Sequence, residues 1–431
     1  MTPTLRLPVL ALVLVFAASA QAAKKAPKKP EQATAGKVDV ELSHSFGPTA
    51  EVELQKLVDR FNEKFPTAPI KLVRQQADGK PTLLNILRRT QVAEFVAGKH
   101  GFKPLHGVIK EAGEKVDFAG LSRDLKAGVA DEKGRMLALP VGYSTPVLFY
   151  NKNAFRKAKL DPEQPPKTWQ EVQAMSAKLL EAGFQCPYTT SWPTWVHIDN
   201  LSALAGVPVA TPKGEFVFNG LVQVKHLAKL STWKAAGMFR VFGRKNEADD
   251  KFKDGSCVML TTDSWAHTEF GEAQGVELGV APLPHDEDNY GGRQHTLADG
   301  SSLWIGSGFK PADYKAAAKF VSFLLTPEIQ VQLASIYGQL PLTEASRAAI
   351  KSKALRDRSQ TLEVAYAQLK GSGASHPLRV SAVDPVRQIV DEELEKVWAG
   401  TTPPKAALDT AVARGNAILK AQPVLKKATP F

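Results

Sequence analysis

Short apolar runs alternate with amphipathic stretches along the chain from Val38 onward. The segment "VDVELSHSF" alternates like a strand, and "TAEVELQKLVDRFNEKF" has apolar residues at near-helical spacing, with Thr49 as the expected N-cap. Another strand-like run, "PIKLVRQ", follows directly. The order strand, helix, strand predicts a parallel βαβ unit.

The longest strand-like run covers residues 137–150 and is broken at Pro140 and Pro146. Because proline cannot donate a hydrogen bond to a neighbouring strand, the two prolines predict interruptions within this run. A polar turn and a short helix are expected after it.

Several later elements have clear boundaries. Thr168 and Glu171 have the spacing of a capping box, and Gly183 stands where that helix should end. Strands are predicted in "GVELGVAPLP" and "SSLWIGSG", and helices in "DYKAAAKFVSFLL", "QIVDEELEKVWAG" and "PPKAALDTAVARGNAILKA". Strands and helices mixed over roughly 400 residues predict an α/β fold in two lobes.

The N-terminus has the pattern of a secretory signal peptide over residues 1–22. Arg6 gives a positive start, residues 7–16 form an apolar run, and residues 20–22 read Ala-Gln-Ala, a small-x-small cleavage pattern. The run is shorter than the about 20 apolar residues that span a membrane. Residues 23–37, rich in Lys, Ala and Pro, predict a flexible basic N-terminus on a soluble, exported protein.

Charge and cysteine content leave two questions open. The net charge of +11 favours anionic ligands or simply reflects a solvated basic surface, and no basic-aromatic motif predicts a nucleic-acid partner. Cys186 and Cys257 are the only cysteines. Export permits a disulfide between them, but the sequence does not show whether they lie close together. Without accompanying histidine spacing they do not predict a zinc site.

Catalytic motifs do not support an enzyme. The chain has neither a phosphate-binding P-loop pattern nor H-E-x-x-H. Gly142-Tyr143-Ser144 resembles the start of a nucleophile elbow, but Pro146 replaces the closing glycine, so a secreted hydrolase using Ser144 is the disfavoured alternative. A two-lobed exported protein without a reaction motif is expected to bind a small solute in the cleft between its lobes and to close around it.

The stretch "SWPTWVHIDN" places Trp192 and Trp195 among small and polar residues. Two indole rings can pack on the carbon skeleton of a polyol or a sugar while hydroxyl groups bind its polar end. Their i, i+3 spacing fits two core residues on one helix face equally well. The residues alone leave both interpretations open.

Long segments resemble the glycerol-3-phosphate-binding branch of the extracellular solute-binding proteins of ABC importers. The resemblance is carried by "STPVLFYNKNAFRKAKLDPEQPPKTWQEV", "SWPTWVHIDNLSA", "FGRKNEADDKF", "GSSLW" and "RQIVDEELEKVWAG", and it covers most of the chain from Val38. It implies a two-lobed, maltose-binding-protein-like periplasmic fold with hinge closure. It also implies periplasmic capture of glycerol 3-phosphate, or a related glycerophospho compound, for delivery to a transmembrane permease.

The resemblance implies a set of ligand contacts as well. The tryptophans that pack on the glycerol moiety match Trp192 and Trp195. Two phosphate-contacting serines match Ser144 and, with one residue inserted just before it, Ser264. A glycine whose backbone faces the ligand matches Gly300, and the phosphate-pairing arginine matches Arg387. A guanidinium fork with hydroxyl and backbone donors suits a phosphate dianion. No metal or cofactor is implied.

The chain departs from the family pattern in three places. The segment at residues 74–91 is shorter and lacks a counterpart of a ligand-contacting tyrosine, and Arg88 stands where the family has a glutamate that holds the glycerol hydroxyls. Gln339 replaces a phosphate-contacting tyrosine but can still donate a hydrogen bond. We hypothesise that the ligand keeps its phosphate and has a different second end. In the alternative, Arg88 points to solvent and the shorter segment only opens the cleft.

We predict lobe 1 from residues 38–144 and about 300–345, and lobe 2 from residues 145–299 and about 346–431. The expected partners are a small phosphorylated ligand and the ABC permease, and the protein is expected to act as a monomer. The alternative within the same class is a protein that binds a sugar or an oligosaccharide.

Overall fold

The computed structural model describes residues 40–75, 82–88, 91–92, 95–96, 101–131, 133–211, 213–270, 275–287, 295–352, 356–369 and 383–421. The predicted signal peptide, the basic N-terminus and part of the segment 74–91 lie outside the described residues. Among the helices in the described ranges, none combines the length and the apolar character that crossing a bilayer requires.

Five strands form the first β-sheet: β1 Val40–His44, β2 Ile70–Arg74, β3 Leu84–Leu87, β4 Leu139–Ser144 and β10 Asp299–Ile305. Their spatial order is β2-β1-β3-β10-β4. β1 is parallel to β2 and β3, whereas β10 is antiparallel to β3 and β4. Helix α1, Pro48–Lys64, joins β1 to β2 and confirms the βαβ unit. Its N-cap is Gly47 rather than Thr49, because Pro48 suits the first helical turn, where no N–H is needed.

Five further strands form the second sheet: β5 Pro146–Asn151, β6 Tyr188–Thr190, β7 Phe239–Arg240, β8 Met259–Asp263 and β9 Leu278–Pro282. Their order is β7-β6-β8-β5-β9. β6 is parallel to β7 and β8, and β5 is antiparallel to both β8 and β9. Two sheets of mixed direction, separated by helices along the chain, confirm the α/β prediction.

The remaining α-helices of the described residues are α2 Leu105–Ala112, α3 Arg123–Lys126, α4 Lys152–Lys157, α5 Trp169–Glu181, α6 Leu201–Leu204, α7 Leu221–Ala235, α8 Glu247–Lys253, α9 His267–Phe270, α10 Pro311–Leu324, α11 Pro327–Tyr337, α12 Glu344–Ser352, α13 Arg356–Ala367, α14 Val383–Trp398 and α15 Pro404–Ala421. Short 3-10 turns cover Ala127–Val129 and Ser264–Ala266, and a π-helix covers Trp195–Asn200. The capping box of Thr168 and Glu171 is present, and Gly183 follows the end of that helix with a positive φ.

The two sheets are joined where one strand leads almost directly into the next along the chain. β4 ends at Ser144 and β5 begins at Pro146, so Thr145 alone separates them, while Pro140 is accommodated inside β4. Asp299, at the start of β10, pairs with Ser144. We call residues 144–146 together with Asp299 the crossing.

Buried apolar side chains form two clusters. The larger one contains the core of the first sheet and continues into the second sheet through Val147, Phe149 and Leu260. The other lies between the second sheet and the C-terminal helices and includes Tyr188 and Trp195. The first cluster contains side chains from both sheets, so the predicted lobe boundary does not divide the apolar core into two. The lobe bounds stay a prediction.

Cys186 and Cys257 form a disulfide, which answers the question that the sequence left open. Cys186 precedes β6 and Cys257 precedes β8, and these neighbouring parallel strands bring the two Cα atoms to 4.6 Å. The bond therefore ties together the entries of two strands of the second sheet.

Candidate functional site

Several predicted site residues lie at or near the crossing, where strand ends of the two sheets meet. Since β10 runs antiparallel to β3 and β4, its start lies beside the C-terminal ends of those strands. Arg88, Ser144 and Gly300 therefore lie at the same end of the first sheet. Ser264 follows the end of β8 in the second sheet, and its N–H donates to the carbonyl of Thr145 at 2.8 Å. The chain topology thus brings residues from distant segments to the crossing.

The two serines use their hydroxyls differently. The Oγ of Ser264 accepts the N–H of Thr145 at 3.4 Å, and both residues are buried. The hydroxyl of Ser144 has no hydrogen bond to another described residue. In particular, no histidine in the described ranges bonds to it, although a serine nucleophile needs such a base. The geometry supports a hydroxyl donor for a ligand and gives the hydrolase alternative no support.

Arg387, on α14, lies between two carboxylates. Its Nε and Nη2 approach Oδ2 of Asp199 at 2.8 and 2.6 Å, and its Nη1 donates to Oδ2 of Asp299 at 2.7 Å. The three side chains are only 18, 8 and 13% exposed, in the order Arg387, Asp199 and Asp299. The predicted phosphate-pairing arginine is therefore present at the crossing, and acidic side chains already neutralise it.

Gly300 is placed by its neighbours as well as by the predicted ligand role. A Cβ at this position would press against the carbonyl oxygen of Gly142 and lie 2.8 Å from Cα of Tyr143. The strand pairing shifts register between Asp299 and Ser301, as in a β-bulge. The glycine is thus required by the close approach of β4, and its N–H donates to Oδ1 of Asp299 at 2.8 Å.

Trp192 lies at the end of β6 with its backbone in the left-handed region, at a φ of 52°. Its backbone N–H donates to the carbonyl of Lys245 at 2.8 Å, and its indole Nε1 donates to Oδ2 of Asp263 at 3.1 Å. The left-handed region costs a non-glycine residue roughly 1–2 kcal/mol. The two hydrogen bonds offset that cost and hold a half-buried ring against Asp263.

Trp195 is a core residue in this structure. It is 7% exposed and packs in the second apolar cluster, where it begins the π-helix. Its Nε1 has no hydrogen-bond partner among the described residues. Trp192 precedes this helix, so the two rings do not share a helix face, and the i, i+3 interpretation of their spacing does not apply.

Arg88 and Gln339 take positions that constrain their predicted roles. Arg88 is exposed, and its Nη2 donates to the carbonyl of Ser45 at 2.8 Å. Gln339 is 2% exposed, its Oε1 accepts the N–H of Gly142 at 2.8 Å, and its Nε2 lies 3.4 Å from Oε1 of Gln330. The amide nitrogen of Gln339 carries a second N–H, so it can donate to a ligand while keeping Gln330. The exposure of Arg88 and its bond to Ser45 agree with the solvent-facing alternative, and its role as a ligand contact stays a prediction.

Acidic residues behind the tryptophan have raised pKa values. Removal from water raises the pKa of Asp263 to about 6, against the opposing effect of the N–H groups of Trp192, Ala266 and Trp265. Burial, followed by the neighbouring Asp263 carboxylate, raises the pKa of Asp249 to about 8. Ser191 donates its hydroxyl to Asp249 at 2.7 Å. The backing of this part of the site is therefore acidic, and protonation changes its charge near neutral pH.

Sequence reasoning missed four residues at or near the crossing: Asp199, Asp263, Asp299 and Trp265. Three of them adjoin predicted positions, since Asp263 and Trp265 flank Ser264 and Asp299 precedes Gly300. Trp265 is half-buried, packs edge-on against Phe46 and covers Gly142. The acids next to Ser264 and Gly300 were the available signal, because a buried cation such as Arg387 needs a counter-charge.

A buried histidine pair lies behind the π-helix. Nδ1 of His197 and Nε2 of His226 are 3.0 Å apart, and Tyr188 bonds to the other side of His197 at 3.2 Å. Burial lowers the pKa of His197 to about 3, so the pair stays neutral and acts as a packing and hydrogen-bonding element. No cluster of three or more metal-ligating side chains is found within the described ranges.

Comparison with protein families gives a match to the bacterial extracellular solute-binding protein family over residues 57–358. A curated relative from Pectobacterium atrosepticum, the sn-glycerol-3-phosphate-binding periplasmic protein UgpB, is 35% identical over 407 residues, which cover 89% of this chain and 91% of the relative. The UgpB of Salmonella typhimurium is 35% identical over 402 residues, covering 88% and 91%.

Solved structures share the fold at lower identity. The cyclic alpha-maltosyl-1,6-maltose binding protein from Arthrobacter globiformis superposes with a TM-score of 0.73 at 22% identity, covering 90% of this chain and all of that one. UgpB from Mycobacterium tuberculosis, in complex with glycerophosphocholine, gives a TM-score of 0.74 at 18% identity with the same coverage. These neighbours confirm the two-lobed binding-protein fold class.

Proposed function

The chain belongs to the bacterial extracellular solute-binding protein family, and on that basis we propose that it captures sn-glycerol-3-phosphate, or a related glycerophospho compound, for an ABC importer. The observation that carries the proposal is the 35% identity to a curated glycerol-3-phosphate-binding protein over 89% of this chain and 91% of the relative. Near-complete coverage of both chains means that the whole two-lobed architecture is compared.

The donor groups at the crossing support this ligand class. Arg387 supplies a guanidinium fork, Ser144 a hydroxyl without another described partner, and Gly300 a backbone N–H, which together suit a phosphate group. Ser264 lies beside them, against Thr145.

Of the other predicted contacts, Trp192, Trp195 and Arg88 belong to the carbon end of the ligand and Gln339 to its phosphate. Trp192 offers a half-buried ring for a short carbon skeleton. Trp195, Arg88 and Gln339 remain proposed contacts, but Trp195 is buried in the core and Gln339 has one of its two amide N–H groups directed at Gln330. Arg88 would reach only a ligand end that projects towards Ser45.

The curated relatives are periplasmic binding proteins, and we place this protein in the same compartment. The proposal also includes export by cleavage after residue 22, action as a monomer, delivery of the ligand to a transmembrane permease and the lack of any catalysed reaction. The intact mass of protein recovered from the periplasm tests the cleavage point directly, because retention of residues 1–22 would contradict it.

A thermal-shift panel tests the ligand class. Purified protein is heated with glycerol phosphates, glycerophosphodiesters, phosphoglycerates, glycerol and maltose, beside the matched variant Arg387→Gln. A ligand at 100 times its dissociation constant stabilises the folded state by about 2.7 kcal/mol. The proposal predicts stabilisation by glycerophospho compounds in the wild type and a much smaller effect in Arg387→Gln. Stabilisation by maltose alone would replace the proposal with the sugar-binding alternative.

A further inference from the structure

The carboxylate of Asp299 bonds to two groups that the proposed function assigns to the ligand. Its Oδ1 accepts the backbone N–H of Gly300 at 2.8 Å, and its Oδ2 accepts Nη1 of Arg387 at 2.7 Å. One residue thus holds both the backbone donor and the guanidinium that are expected to meet an anionic group.

Asp299 lies close to the other proposed phosphate contacts. Its side chain is only 13% exposed, and it pairs with Ser144 across the two strands of the crossing. The carboxylate therefore lies in the same small region as Ser144, Gly300 and Arg387, from which phosphate contacts are proposed.

Asp199 approaches the same arginine in a different way. It takes Nε and Nη2, the side of the guanidinium nearest the arginine stem, and it has no hydrogen bond to Gly300. Asp199 therefore orients Arg387, whereas Asp299 occupies the Nη1 donor together with the glycine N–H.

We propose that Asp299 is a built-in competitor: its carboxylate bonds to the same donors of Gly300 and Arg387 that the phosphate of the ligand would use, and the phosphate displaces it. The inference rests on the proposed function and adds a control of affinity to it. Simple addition of a phosphate is disfavoured, because a dianion and two carboxylates would then surround one guanidinium in a poorly hydrated site. Displacement removes one of these negative groups from Arg387.

The test is calorimetric titration of wild-type, Asp299→Asn and Asp199→Asn proteins with sn-glycerol-3-phosphate at one pH and ionic strength. Each substitution removes one negative charge from the same arginine at nearly constant side-chain size. If the charge near Arg387 alone controlled the affinity, both variants would bind the ligand more tightly. Displacement predicts that Asp299→Asn alone tightens binding, by about tenfold, a change equivalent to 1.4 kcal/mol. Asp199→Asn should not tighten it, because the competitor remains and the orienting carboxylate is lost.

The outcomes separate the two levels of the argument. An unchanged or weaker affinity in Asp299→Asn, with wild-type binding intact, overturns the inference and leaves the proposed function standing. Equal tightening in both variants also overturns it. If neither the wild type nor Asp299→Asn binds the ligand, the proposed function fails and the inference falls with it. Should circular dichroism show that Asp299→Asn is unfolded, Asp299→Ser serves as the second neutral variant.

Discussion

The hydrogen bond between Trp192 and Asp263 gives a sharp test of how the site is held ready for its ligand. The indole Nε1 donates to Oδ2 of Asp263 at 3.1 Å, while the Trp192 backbone is left-handed at a φ of 52°. A hydrogen bond to a charged group contributes about 1.5–3 kcal/mol. This is comparable to or larger than the roughly 1–2 kcal/mol of backbone strain, so losing the bond should release the ring from its position.

The perturbations are Trp192→Phe, Asp263→Ala and the double variant. Each single change removes the indole-carboxylate bond and is expected to weaken sn-glycerol-3-phosphate binding by about tenfold, as for a loss of 1.4 kcal/mol. Because both act through one bond, the double variant should be weakened by little more than either single variant.

Calorimetry supplies the affinities, and urea unfolding supplies a control. Asp263 also accepts the N–H of Ala266 at 3.2 Å as the cap of a short helix, so Asp263→Ala should cost about 0.5–2 kcal/mol of stability in both backgrounds. Only the part due to the lost cap should be independent of residue 192; with Trp192 present the total loss should be larger, because the indole hydrogen bond is lost as well. Multiplicative losses of affinity, near a hundredfold in the double variant, would refute the idea that Asp263 acts on the ligand through Trp192.

Two predictions concern the fold around the site. The raised pKa of Asp249, about 8, lies above the unfolded value near 4, so its stabilising contribution is fully present below pH 4 and is lost as pH rises through 8. Asp249→Asn should therefore gain on the order of 2–5 kcal/mol relative to wild type between pH 4 and pH 8, and parallel urea-unfolding profiles would contradict this. The bond between Cys186 and Cys257 closes a loop with a sequence separation of 71, so replacing both by serine should cost about 4 kcal/mol in the same assay, and a loss below about 1 kcal/mol would contradict the chain-entropy argument.

Local sequence signals predicted much of the fold because they depend on neighbours in the chain. The capping box of Thr168 and Glu171 and the helix end at Gly183 follow from residue chemistry within a few positions. The βαβ unit follows from hydrophobic period. By contrast, Pro140 predicted a break that does not occur, since a strand can accommodate proline where its neighbour needs no N–H.

The site was predicted only in part, because its key contacts join distant segments. Asp199 and Asp299 lie 188 and 88 residues from Arg387 along the chain, and no periodic pattern reports such pairs. The same holds for Gln339, whose amide meets Gly142 across 197 residues. The left-handed backbone of Trp192 likewise depends on tertiary hydrogen bonds rather than on the residue type.

Titration of the purified wild-type protein with sn-glycerol-3-phosphate by isothermal calorimetry, with glycerol and maltose in matched runs, tests the central claim most directly. The account predicts one saturable site per chain for sn-glycerol-3-phosphate and no comparable binding of glycerol or maltose, because the guanidinium of Arg387 recognises the phosphate. Saturable binding of maltose, with no heat from the phosphate compound, would contradict it.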